Sequence, residues 1–192
     1  RYFANIQRLC SFLCIIFSDW VGLSGLRFFR RHQLVDDLPK YLSTLVIILT
    51  FNMILMFAIA FIFKNSLYSF FHVPFKYFLA VLFLIIPVAI RALLSQLLRA
   101  QLKSISYTIA TILNQFATIL MAVCFAKIFN MGAASILLGM GVSISLIDIL
   151  LLYQSEILKV FKFRKIEWKF IFPIICYGIP LAATSLSAWI IT

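Results

Sequence analysis

"YLSTLVIILTFNMILMFAIAFIF", Tyr41 to Phe63, holds no charged side chain between Lys40 and Lys64. The hydrocarbon core of a bilayer is crossed by about 20 helical residues, so this run is long enough for one crossing. An α-helix satisfies every backbone donor and acceptor within itself, which lipid cannot do for it. The stretch therefore reads as a transmembrane helix, and the bulk composition agrees. The 192 residues are 64% hydrophobic and 12% charged, with a mean hydropathy of +1.09, whereas soluble domains run at roughly half apolar and a quarter charged. So few polar groups cannot cover an aqueous surface. The other apolar runs are also long and uninterrupted, which argues for helices rather than a barrel of alternating strands. The expected fold class is all-α, a polytopic membrane helix bundle.

Working outward from that run, six segments reach or approach crossing length, at about 4–23, 41–63, 75–98, 105–128, 132–153 and 169–191. The first is the weakest, because Arg8 and Asp19 interrupt it; both are expected near its ends, at the membrane interfaces. The organisation expected is five helices over residues 1–153, a basic linker over 154–168 and a last helix over 169–192. Since the chain starts at Arg1 without Met and stops at Thr192 in an apolar run, it reads as a fragment of a longer protein.

The net charge of +11 sorts by side of the membrane. Alternate connections hold Arg27, Arg30, Arg31 and Lys40, then Arg99 and Lys103, then Lys159, Lys162, Arg164, Lys165 and Lys169. The opposite side holds Arg1, Lys64, Lys76 and Lys127, so the count is eleven against four. Cytoplasmic loops carry such an excess of Lys and Arg. Loops 24–40, 99–104 and 154–169 are therefore assigned to the cytoplasm, and the charge reports topology rather than a nucleic-acid partner. Cys10 and Cys14 lie one turn apart, but no His or further Cys completes a metal site, and they read as core cysteines. No cofactor is expected.

Within the spans, polar residues are few enough to be read one by one. In "PVAIRALLSQLLRAQLKS", Pro87 to Ser104, Arg91 lies inside an apolar run, on one helical face with Ser95 and Arg99. An arginine facing lipid at that depth costs at least a few kcal/mol. It has three readings: snorkelling to the inner headgroups, a cation facing a cavity, or one half of an ion pair. Asp148, at a similar depth in "SILLGMGVSISLIDILLLYQ", is the candidate partner and also a candidate ion-coupling acid. Ser135, Gly139 and Ser143 in that stretch form a small-xxx-small series suited to close helix packing. The next polar set is Tyr107, Thr108, Thr111, Asn114, Gln115 and Thr118, which share a face at three- and four-residue spacing. Such a stripe faces neighbouring helices or a hydrated cavity, because its amides would lack partners in lipid. Tyr177, Thr184 and Ser187 make a weaker polar face, and Trp189 fits an interfacial belt. Pro87 and Pro180 fall inside spans, where a proline frees a carbonyl and kinks the helix.

Catalysis finds little support. His32 and His72 lie in connections on opposite sides, and Asp36–Asp37 has no second carboxylate motif to hold a metal with it. No Gly-rich phosphate loop is present, and no nucleophile stands at workable spacing from a base. The residues do not read as an enzyme; a membrane glycosyltransferase or acyltransferase would need acidic or histidine sites in an aqueous loop. A passive structural subunit would not need the polar stripes.

Three stretches taken together resemble a known family. "GLSGLRFFRRHQ" is similar to the GL…RF step of bacterial polysaccharide flippases, and "LLRAQLKSISYTIATILNQF" to the junction between their fourth and fifth helices. "YGIPLAATSLSAWIIT" resembles the Gly-x-Pro helix that opens their second lobe. The family is the Wzx-type oligosaccharide flippase branch of the multidrug/oligosaccharidyl-lipid/polysaccharide exporter superfamily. Each motif is weak alone; their order and spacing carry the resemblance along the whole chain. It implies helices two to seven of a two-lobe transporter in the bacterial cytoplasmic membrane, working by alternating access. The implied cargo is an oligosaccharide on undecaprenyl pyrophosphate, destined for cell-surface polysaccharide (O-antigen, capsule or exopolysaccharide). A polysaccharide polymerase and other pathway proteins are the implied partners. On that reading Arg91 and Arg99 receive the pyrophosphate, and Arg27, Arg30 and Arg31 draw it to the cytoplasmic mouth. Tyr107, Thr111, Asn114, Gln115 and Thr118 then line the sugar path. The alternative within the superfamily is a cation-coupled multidrug exporter, which would prefer an acid-centred cavity.

Overall fold

The computed structural model describes residues 2–34, 37–72, 75–129, 133–154 and 167–191. The described residues are helical, with no strand among them, and six helices are long and apolar enough to cross a membrane. The chain is thus a multi-pass, all-α membrane protein. The turn "NMG" at Asn130–Gly132 and linker residues 155–166 lie outside the described residues.

Helices α1 (Tyr2–Cys14) and α2 (Trp20–Leu34) are joined by a single π-helical stretch, Ile15–Asp19, into one span, Ala4–Leu34, of 31 residues. The expected span at 4–23 is therefore too short, and Arg27, Arg30 and Arg31 sit on the last turns of a helix rather than in a loop. The cause lies in the period: Phe29 is buried between exposed or half-buried neighbours, so one apolar edge continues past the charges. Asp19 consequently moves from the membrane interface to the middle of its span. A π turn widens the backbone, and here the Trp20 indole Nε1 donates to the Ile16 carbonyl at 3.0 Å.

After Asp37, α3 (Leu38–Ile62) begins with Pro39 in its first turn, where a missing backbone N–H costs nothing. The turn "KNSLYSFFHVPFK" contains a short helix, α4 (Lys64–Phe71), ended by His72 in a left-handed conformation. Next come α5 (Phe75–Ala100), α6 (Ser104–Phe129) and α7 (Ala133–Gln154). A 3-10 turn (Trp168–Phe170) then leads into α8 (Ile171–Ile191). Pro87 and Pro180 both lie inside continuous helices, α5 and α8.

α5 is the hub. It packs on the α1–α2 span on one side and on α7 on the other, while α6 packs chiefly on α7. α3 and α8 both pack along α2 and the π turn. Two apolar clusters fill the interior. One is built on Val21, Phe29, Leu45, Leu93 and Leu97; the other on Leu9, Leu13, Phe17, Phe78 and Leu82. Lipid tails are as apolar as leucine, so shape and small residues hold membrane helices together more than any hydrophobic drive. Gly139 shows this. A Cβ there would sit 2.6 Å from the Ala122 backbone nitrogen, so only glycine lets α6 and α7 cross this closely. Gly178 plays the same part under Trp20, whose ring would lie 2.0 Å from an added Cβ.

Candidate functional site

The sequence-derived polar residues separate into four places. The first lies between α5 and α7, where the Arg91 guanidinium and the Asp148 carboxylate form an ion pair through Nε and Oδ1. One Nη of Arg91 also donates to the Ile144 carbonyl at 3.2 Å, one helical turn before Asp148. Asp148 is 4% exposed, and its second oxygen has no hydrogen-bond partner. Of the three readings of Arg91, the ion pair is the one found. The pair carries no net charge, so Arg91 with its carboxylate in place has little to offer a passing anion.

The second place is a basic cleft at the positively charged end of the bundle. It encloses about 740 Å³ between the last turns of α2 and the α5–α6 turn, and Arg27, Arg30, Gln33, Arg99 and Lys103 line it. Among the described residues no acidic side chain does. Arg99 hydrogen-bonds the Tyr107 hydroxyl and lies 4.3 Å from the centre of that ring; Arg27 lies 4.2 Å from the ring of Tyr177 on α8. Both guanidiniums thus lie over aromatic faces, and among the described residues neither pairs with a carboxylate. Arg31 is not part of this cleft. It points instead into a pocket with His32, Asp37, Tyr41 and Lys169, so the expected trio is split across two faces of α2.

Beside that pocket the ends of α2, α3 and α8 are tied together. His32 stacks on Tyr41 with ring centres 4.4 Å apart, and the Tyr41 hydroxyl donates to the Ser24 carbonyl at 2.9 Å. Glu167 pairs with Lys40 and, at 2.5 Å, with Lys169. Those two ammonium groups, Lys169 first, hold the Glu167 carboxyl below the usual carboxylate range.

The third place is the α6 stripe, which does not act as a unit. Thr118 meets Ser143 of α7 at 2.7 Å, and Tyr107 binds Arg99, so these two serve helix contacts. Thr111 is exposed and its hydroxyl bonds its own helix, at the Tyr107 carbonyl, 2.9 Å. Gln115 is exposed, and the Asn114 side-chain oxygen is buried without a partner. α6 is the least covered of the six spans, so Thr111, Gln115 and the isoleucines beside them point away from the bundle.

The fourth place was not anticipated. Half-buried Asp19 lines an open groove of about 530 Å³ between the first span, α5 and α8, together with Cys10, Cys14, Val88 and Ser185. No cation pairs with it among the described residues. A helical period running unbroken to Leu34 is the signal that would have placed it at mid-span.

No family model, no curated protein and no solved structure matches this chain.

Proposed function

We propose that this chain is part of a flippase that carries an oligosaccharide, linked to undecaprenyl pyrophosphate, from the cytoplasmic to the outer leaflet of the bacterial cytoplasmic membrane. In this reading α1 to α7 form a first lobe without its leading helix, and α8 opens a second lobe. The observation that carries it is the basic cleft. Arg27, Arg30, Arg99 and Lys103 converge on one space with no acid among the described residues of its lining, at the end that the charge bias assigns to the cytoplasm. A pyrophosphate leaving water needs several cations held in place, because charge-assisted hydrogen bonds must replace its hydration. The outward-facing Thr111 and Gln115 on α6 supply hydroxyl and amide groups of the kind that sugars hydrogen-bond. The likeness of three sequence stretches to polysaccharide flippases supports the same cargo.

The test is complementation of a bacterial strain that lacks its own polysaccharide flippase. The native protein restores surface polysaccharide, and Arg30→Glu combined with Arg99→Glu abolishes the rescue while the protein still reaches the membrane. Failure of the native protein to rescue any such strain, with full expression, overturns the proposal. A second reading, a cation-coupled drug exporter of the same superfamily, draws on the groove at Asp19. Dye efflux by the native protein in vesicles without lipid-linked saccharide favours it.

A further inference from the structure

The open pocket of about 320 Å³ at the joined ends of α2, α3 and α8 changes character with depth. Arg31 and His32 stand in the last turn of α2, and Lys169 stands in the 3-10 turn that leads into α8. One turn further into each span the lining becomes apolar, with Phe28 on α2 and Pro173 and Ile174 on α8. One chain is leaving its span here and the other is entering, so the same order is built twice. Leu34 ends one crossing span and Trp168 begins another. The polar turns therefore stand at the level of lipid headgroups, and the apolar ones at the top of the acyl chains. Trp168 is 80% exposed beside Lys169, and such rings settle at that interface.

The charges around the pocket do not cancel. Asp37 lies 3.0 Å from Lys40, and Glu167 pairs with both Lys40 and Lys169. Two acids and two ammonium groups thus balance one another. Arg31 is left over: it is exposed, and no carboxylate pairs with it among the described residues. Lys169 meets Glu167 but stays 60% exposed, and an ammonium group has three donors. His32 is fixed between Tyr41 and Phe170, with ring centres 4.4 and 4.6 Å away. A free phosphate would answer the cations and leave the apolar turns without an occupant. A purely apolar ligand would leave Arg31 unanswered. An anion carried on acyl chains satisfies both ends.

We propose that this pocket binds an anionic phospholipid of the surrounding membrane. Arg31 and Lys169 take the phosphate, and Phe28, Pro173 and Ile174 flank the top of an acyl chain. Basic pockets between spans at the cytoplasmic face are suited to such headgroups. The bound lipid bridges α2 and α8 at the end where the ion pairs of Glu167 also join the helices. The site is separate from the basic cleft, which Arg27 and Arg30 line from another face of α2. The proposal rests on the multi-pass fold and not on the cargo, so the two stand or fall separately.

Native mass spectrometry tests it, with the purified protein in detergent micelles that carry equal amounts of phosphatidylglycerol and phosphatidylcholine. The native protein retains phosphatidylglycerol in preference. Arg31→Gln combined with Lys169→Gln lowers that preference about tenfold, and Arg31→Lys keeps most of it. Pro173→Glu leaves every cation in place, repels the headgroup and lowers the preference as well. Lys64→Gln with Lys127→Gln removes two charges from the opposite end and leaves the preference unchanged. An equal loss in that control shows attraction to net charge alone and overturns the proposal, as does full preference in Pro173→Glu. Thermal unfolding supplies the second readout. In phosphatidylcholine the Arg31→Gln/Lys169→Gln protein unfolds near the native temperature, because Lys40 still holds Glu167. Phosphatidylglycerol raises the unfolding temperature of the native protein and not that of this variant. Inorganic phosphate giving the same rise would assign the pocket to free phosphate and overturn the lipid as its occupant.

Discussion

Two carboxylates flank α5 within about one helical turn of the same depth, and they are treated in opposite ways. On the α7 side, Asp148 meets Arg91. On the side of the first span, three residues earlier along α5, Asp19 meets Val88. The residue that the neighbouring helix offers at that turn decides whether an acid within a span fastens two helices or is left without an ionic partner. A buried pair is no guarantee of extra stability, since desolvating both charges offsets much of their attraction. What it does is penalise any state in which the two helices separate. Asp19 imposes no such penalty, which leaves α8 free of an ionic tie at that level.

The contrast breaks most clearly at the pair. Arg91→Ala strands Asp148 in the bundle and costs about 3–5 kcal/mol, while Arg91→Met with Asp148→Leu recovers most of that loss. Denaturant titration of the purified protein in detergent reads both. Equal losses in the single and the double variant would show that the pair contributes more than mutual neutralisation. At the next level, Gly139→Ala and Gly178→Ala drive a methyl into the Ala122 backbone and the Trp20 ring, and each costs about 1–3 kcal/mol by the same assay. If Gly178→Ala costs nothing, α8 is not seated on Trp20 as described. Asp19→Asn sharpens the comparison from the other side. No partner is lost, so stability stays within about 1 kcal/mol of the parent or rises. A loss as large as that of Arg91→Ala would reveal a hidden partner.

The smallest effect concerns Glu167. Its carboxyl is held low by Lys169 and Lys40 in the folded chain, so its contribution is present above the ordinary carboxylate range and fades as pH falls through the lowered value. Thermal unfolding compared between the native protein and Glu167→Gln should differ near neutral pH and converge in acid, with the difference shrinking in high salt. A difference that grows in acid would reverse the sign.

The six crossings were legible because a bilayer imposes a minimum apolar length, and length survives any uncertainty about packing. Arg91 and Asp148 were legible as neighbours for a similar reason, since counting residues from each helix end put them at one depth. Asp19 was not. Its depth depends on where its helix stops, and Arg27, Arg30 and Arg31 look like a loop by charge although the buried Phe29 keeps the helical edge going. The fate of the α6 stripe was also hidden, because whether Thr118 finds Ser143 while Gln115 stays exposed is set by the rotation of α6 against α7. That rotation follows from Gly139 meeting Ala122, a contact between helices that no period within either one reveals.

The central claim, that the basic cleft receives an anionic lipid-linked saccharide, is tested most directly by flipping in vesicles. The native protein is reconstituted and given fluorescent oligosaccharides on polyprenyl pyrophosphate, or on an uncharged polyprenyl carrier. The cleft account predicts rapid flipping of the pyrophosphate form, lost in Arg30→Glu/Arg99→Glu, and little flipping of the uncharged form in either protein. Equal flipping of both carriers, unaffected by the charge reversals, would contradict it.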